Sequence, residues 1–161
     1  MDRFDIIAML RDLNIEFTLT EHPPAETVED IDSFGLAQAE SIVKNLFLRD
    51  ERKKNYYLLL AGKEKTVNLK ALRSQLGLRP LSFASEADLF TYLGLKKGSV
   101  TPFGILNGTA GNVQVLVDSD VLAYPVVGVH PNENTATLWL APHDLKTVIE
   151  RQGNAFRPVT L

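Results

Sequence analysis

Apolar residues recur at helical spacing at the start of the chain. Phe4, Ile7, Leu10 and Leu13 follow Asp2, a residue suited to capping a helix, and Asn14 ends the run. IEFTLTEH (15–22) then alternates like a strand. The prolines of HPPAETVED break regular structure, and Thr27 with Asp30 forms a capping-box pattern for a short helix that Gly35 stops. NLFLRD (45–50) and YYLLLAG (56–62), joined by the charged turn ERKKN, predict an antiparallel hairpin. VNLKALRSQL (67–76) reads as a helix closed by Gly77. LSFAS (81–85) predicts a short strand, and Ser85 with Asp88 caps a helix around EADLFTYL. VQVLVD (113–118) and VVGV (126–129) are β-rich, and TATLWL (135–140) alternates, which predicts one buried face. APHDLKTVIERQG fits a last helix, with Pro142 in its first turn and Gly153 after its end, and FRPVTL is expected to tuck against the sheet.

Roughly six or seven strands and five helices without regular βαβ alternation predict an α+β fold. Its sheet should be mixed, mostly antiparallel and flanked by helices. A length of 161 residues, with no repeat or evident linker, predicts one domain spanning 1–161. No apolar run reaches the length of a membrane-spanning helix. The start, MDRFDIIAML, carries acids and no small-residue cleavage site, so a signal peptide is not expected. There is no cysteine, which removes disulfides, thiolate catalysis and cysteine-ligated zinc together. A cytoplasmic location is the expectation.

Charge is distributed unevenly. Net charge is −3, but residues 1–43 carry −8, residues 44–97 carry +7 and residues 98–161 carry −2. Such asymmetry marks either ordinary solvated faces or a local contact with a polyanion.

Metal catalysis finds little support. The three histidines, His22, His130 and His143, lack HExxH or other close ligand spacing, and neither a phosphate-binding loop nor a GxSxG elbow occurs. Three stretches remain. In IVKNLFLRD, Lys44 and Asn45 stand at the start of an apolar strand. The lysine either reaches out to water or holds a cation at a pocket mouth for phosphate or a developing oxyanion. GSVTPFGILNG (98–108) is either a surface turn or a backbone surface whose N–H groups approach a carbonyl or anion. Glycines would permit the approach, and Pro102 would hold the position. GVHPNENTATLWL is either a hairpin turn in which Asn132 and Asn134 satisfy their own backbone, or a place that presents the His130 imidazole and amide groups to a ligand.

Together, KNLFL (44–48), GSVTPFG (98–104) and GVHPNENTAT (128–137) resemble the freestanding prolyl-tRNA editing proteins of the YbaK/ProX type, over nearly the whole chain. The HPP loop (22–24) fits as well. The resemblance implies the editing-domain fold of that family and an aminoacyl-tRNA deacylase acting on mischarged alanyl-tRNA(Pro). It places Lys44, Gly98, Ser99, Val100, Thr101, Pro102 and His130 in the catalytic site. Asn45, Phe103, Gly104, Asn132, Asn134 and Thr135 are placed against the substrate. It implies no metal and no diffusible cofactor. The implied partners are the acceptor end of tRNA(Pro) and, transiently, prolyl-tRNA synthetase, with no membrane. Separately, the apolar strands TATLWL and VQVLVD, which either pair between subunits or are wholly internal, leave a homodimer or a monomer–dimer equilibrium as the expectation. Water would attack the ester, helped by the tRNA 2′-hydroxyl and loop N–H groups, with Lys44 binding and orienting. A cysteinyl or other small aminoacyl ester, or a noncatalytic tRNA-end binder, are the alternative readings.

Overall fold

The computed structural model describes residues 1–107 and 112–161, so the Gly108 end of the 98–108 loop lies outside the described residues. Two sheets form the frame. One has the order β4-β2-β3-β5-β8, from Leu81–Phe83, Val43–Asp50, Tyr56–Gly62, Val113–Asp118 and Phe156–Val159. The other has the order β1-β7-β6, from Phe17–Glu21, Ala136–Leu140 and Val127–Val129. The helices are α1 (Arg3–Asp12), α2 (Val28–Ser33), α3 (Leu69–Leu76), α4 (Glu86–Leu93) and α5 (Pro142–Arg151). The architecture is α+β with mixed sheets flanked by helices, as the alternating and helical patterns predict.

The hairpin forms in register, with Phe47 opposite Leu58 and Arg49 opposite Tyr56. Every residue of β3 is buried, because both faces of its sheet are covered. Tyr56, Leu58 and Leu60 enter a core closed by α1, α4 and α5, while Tyr57 and Leu59 meet Leu72 of α3 on the other face. The helix starts match the capping signals. Asp2, Thr27 and Ser85 each accept from the backbone N–H three residues on, with the reciprocal bond in place.

The sheets are mixed and mostly antiparallel, as expected; β3 pairs with β5, and β5 with β8, in parallel, because long crossovers of helices and strands separate them in the chain. Other expectations are corrected. FRPV does more than tuck against the sheet: it is the edge strand β8, where Pro158 is tolerated because one side needs no donor. TATLWL was expected to bury one face, yet β7 is buried throughout. Leu138 and Leu140 join the main core, while Trp139 packs with Ile31 and Ile42 beneath α2. PFGILN is a buried 3₁₀ turn (Pro102–Asn107) rather than an open loop.

The sheets meet where Ile42 bridges in parallel to Gly128. A Cβ on Gly128 would lie 2.6 Å from Trp139 Cζ3 and 2.9 Å from Ile42 Cγ1, so only glycine allows this approach.

Candidate active site

The site is assembled at that junction. β2 starts at Val43, so Lys44 stands within the ladder, opposite Ala61, rather than before it. Val43 and Phe47 point into the core, and alternation turns Lys44 away from them. The Lys44 ammonium donates to the main-chain oxygen of Lys65 in the turn after β3. That turn is held by Lys65 N–H to Gly62 O at 2.9 Å and by Lys65 Nζ against Asp120 at 2.6 Å. One donor of the ammonium is thereby fixed, leaving two for a ligand. Asn45 Nδ2 makes only a long bond to Val43 O, 3.4 Å, and its buried Oδ1 has no partner among the described residues.

The 98–104 segment divides into two parts. Gly98 has φ +85°, and a Cβ there would lie 3.0–3.2 Å from Glu26 side-chain and main-chain atoms, so glycine serves both the turn and the close approach. Ser99 N–H donates to Lys96 O at 3.1 Å, whereas the Val100 N–H has no partner among the described residues. Thr101 is fully buried, and its hydroxyl donates to the main-chain oxygen of His130 at 2.5 Å, tying this loop to the histidine turn. Pro102, Phe103 and Gly104 are buried in the 3₁₀ turn. Phe103 is a core residue, and a Cβ on Gly104 would lie 2.7 Å from Leu95 Cδ1.

His130 follows β6. Its Nδ1–H donates to Ala136 O at 3.0 Å, the tautomer that a carbonyl acceptor requires, and Nε2 keeps its lone pair. Burial holds the imidazole below its ordinary pKa, and the neighbouring His22 ring, 6.2 Å away, adds to this against the raising effect of the Ala136 bond. His22 itself is pinned between Pro23 O and the Thr137 hydroxyl at 2.8 and 2.9 Å. The rest of the turn is structural in its contacts. Asn132 (φ 60°) donates to Met1 O at 3.1 Å and Phe103 O at 3.4 Å. Asn134 O accepts from Ala25 N–H and Thr135 O from His22 N–H, each at 3.0 Å. The Thr135 hydroxyl donates to Glu133 at 2.6 Å, and Glu133 is also held by Arg3.

These elements enclose a cavity of about 270 Å³. Lys44, Asn45, Gly98, Val100 and His130 line it together, brought from three distant stretches. Ser99, Thr101, Pro102, Phe103, Gly104, Asn132, Asn134 and Thr135 do not line it; most of them hold its walls in place. Sequence reasoning left out the fourth wall: Glu26, Thr27, Val28 and Ile31 at the start of α2, with Ile42 and Val43 beside them. The capping box at Thr27 marked that helix start, but nothing in the sequence says which helix faces Lys44.

The basic stretch is partly neutralised. Arg49 pairs with Asp88, Lys63 with Asp32, Lys65 with Asp118 and Asp120, and Arg79 with Glu51. Arg52, Lys53, Lys54, Lys70, Arg73, Lys96 and Lys97 have no ion pair among the described residues. Among these residues, no three His, Asp or Glu side chains are grouped to hold a metal ion, and no helix is long and apolar enough to cross a membrane.

Comparison with known proteins gives one pattern. A family described as "Aminoacyl-tRNA editing domain" matches residues 22–148. The prolyl-tRNA editing protein ProX of Acetoanaerobium sticklandii is 42% identical over 156 residues, covering 97% of this chain and 95% of that protein. The prolyl-tRNA synthetase associated domain-containing protein 1 of Xenopus laevis is 33% identical over 94% of this chain and 92% of its own. Among solved structures, that of hypothetical protein APE2540 superposes with a TM-score of 0.74 at 20% identity, over 96% of this chain and 97% of that one, a likeness of fold.

Proposed function

Because this chain belongs to the aminoacyl-tRNA editing domain family, we propose that it is a deacylase that removes alanine from mischarged alanyl-tRNA(Pro), the product of prolyl-tRNA synthetase error. The observation that carries this reading is the cavity in which Lys44, the Gly98–Val100 backbone and His130 converge. The reaction is ester hydrolysis. Water oxygen bonds to the ester carbonyl carbon, the bond to the ribose oxygen breaks, and a proton passes to that oxygen, leaving alanine and free tRNA.

Each group has a part suited to its chemistry. The Val100 N–H, without a partner among the described residues, is the loop donor assigned to the developing oxyanion, whereas the Ser99 N–H is engaged by Lys96. Neutral His130 offers Nε2 as an acceptor to the attacking water or to the tRNA 2′-hydroxyl that orients it. Lys44, steadied by Lys65, binds and orients the terminal nucleotide of the acceptor end. Val28, Ile31, Ile42, Val43 and Val100 form the apolar part of the wall, which suits a methyl side chain. Size excludes proline, while smaller groups are harder to reject because a missing methylene is worth only about 1–3 kcal/mol.

The test is hydrolysis of alanyl-tRNA(Pro) and prolyl-tRNA(Pro) by the wild type and by Lys44→Ala. Loss of a charge-assisted contact should lower kcat/KM by about ten- to a hundredfold, with alanine released and proline spared. No release of alanine above the spontaneous rate would end the alanyl assignment. Release of cysteine from cysteinyl-tRNA(Pro) would then redirect it.

A further inference from the structure

A second cavity, also of about 270 Å³, adjoins the first and shares Asn45 and Val100 with it. Its other lining includes Phe47, Phe83, Leu89, Glu86 and Lys97. Phe83 is 60% exposed, an unusual position for a phenylalanine on a strand whose neighbours Leu48 and Leu81 are packed. The backbone beneath is open as well. Ile42, just before β2, bridges to Gly128, and β2 meets β4 only from Phe47 O and Leu48 onward, so among the described residues no strand runs along the outer edge of 43–46. The two cavities lie end to end along that open edge, one at Val43–Asn45 and the other at Asn45–Phe47.

We propose that this second cavity receives the nucleobase of the terminal nucleotide, stacked on Phe83, while the ester occupies the first. The inference rests on the deacylase reading for its substrate. Its own support is the chemistry of the lining. An exposed aromatic face beside a recess suits a flat base, which stacks on aromatic side chains without a demand for sequence. Glu86 is an acceptor for an exocyclic amino group, and the open edge of β2 offers main-chain groups for further polar contacts. Lys97, exposed and without an ion pair among the described residues, supplies a cation for the phosphate by which the strand leaves. The two cavities share Asn45 and Val100, so the base and the ester of one terminal nucleotide would sit on either side of that common lining.

The experiment pairs kinetics with direct binding. Phe83→Ala, Phe83→Trp and wild type are assayed on alanyl-tRNA(Pro), and the same proteins are titrated with the trinucleotide CCA and with ribose 5-phosphate, which lacks a base. A melt confirms that each variant is folded. Phe83→Ala should raise KM and the Kd for CCA by roughly ten- to a hundredfold while kcat holds, and Phe83→Trp should restore both. Ribose 5-phosphate should bind wild type and Phe83→Ala alike. An unchanged KM and CCA affinity in Phe83→Ala, with wild type hydrolysing normally, would overturn the base site and leave the deacylase reading standing. No hydrolysis by wild type, but CCA binding that depends on Phe83, would uphold the base site and remove the deacylase reading. Equal loss of ribose 5-phosphate affinity in Phe83→Ala would overturn base stacking in favour of a distorted cavity.

Discussion

His130 donates through Nδ1 to Ala136 O, and the hydroxyl of Thr101 holds its main-chain oxygen, so both its tautomer and its position are set from behind. Its lowered pKa gives a signed prediction. A neutral imidazole is required, so activity should persist as pH falls through about 6.5, the unperturbed value, and decline only at more acid pH. In a kcat/KM profile, His130→Asn should be weaker and lack that acid limb. A wild-type limb centred above pH 6.5, or the same limb in His130→Asn, would remove the histidine from catalysis. Stability follows the same sign. The unfolded chain binds the proton more readily than the folded one, so this group's contribution is present above about pH 6.5 and is lost on acidification. At this scale the sequence showed a histidine before a proline. It could not show burial or the carbonyl behind the ring, which come from residues six positions on and from another loop.

α2 is six residues long and depends on its cap. Thr27 Oγ1 accepts from Asp30 N–H at 3.1 Å, and the Asp30 carboxylate returns bonds from Glu26 and Thr27 N–H at 3.0 and 3.2 Å. The same turn supplies Glu26, Thr27, Val28 and Ile31 to the cavity. Thr27→Ala should therefore lower stability by about 1 kcal/mol, a Tm drop of roughly 2–4 °C, and speed amide exchange across 28–33. KM for the aminoacyl-tRNA should rise more than kcat falls. Unchanged exchange and KM would mean that α2 is held by Ile31 and Trp139 alone. Caps, the hairpin and the last helix are local signals, with every partner within a few residues, and they were legible. β8 was not, because Pro158 argues against a strand and only the parallel neighbour β5 makes one.

At the scale of the molecule, the site exists because two sheets that share one core are joined by the Ile42–Gly128 bridge. Gly128→Ala would drive a methyl into Trp139 and Ile42, and overpacking of this kind costs about 1–3 kcal/mol. The expected result is a Tm loss of several degrees together with a fall in kcat/KM, since Ile42 and His130 flank the joint on the two sides of the cavity. A variant that melts like wild type and edits normally would show that the sheets can part without harm. The basic surface behaves at this scale too. Two of its cations, Lys63 and Lys65, pair with acids outside the stretch, Asp32 and Asp120, so the +7 of residues 44–97 overstates what a tRNA would meet.

Taken by itself, the sequence determined the capped helix starts, the antiparallel hairpin, the α+β class and the three stretches that carry the family resemblance. Each of these rests on neighbours in the chain or on short motifs. Only the tertiary structure decided that Lys44, Val100 and His130 share one cavity, that α2 closes it, that Phe103 and Gly104 belong to the core, and that Phe83 stands beside the open edge of β2. The physical reason is the same in each case. Periodicity reports which face of an element is apolar, but which other element that face meets depends on contacts between residues far apart in the chain, made only when the whole core closes.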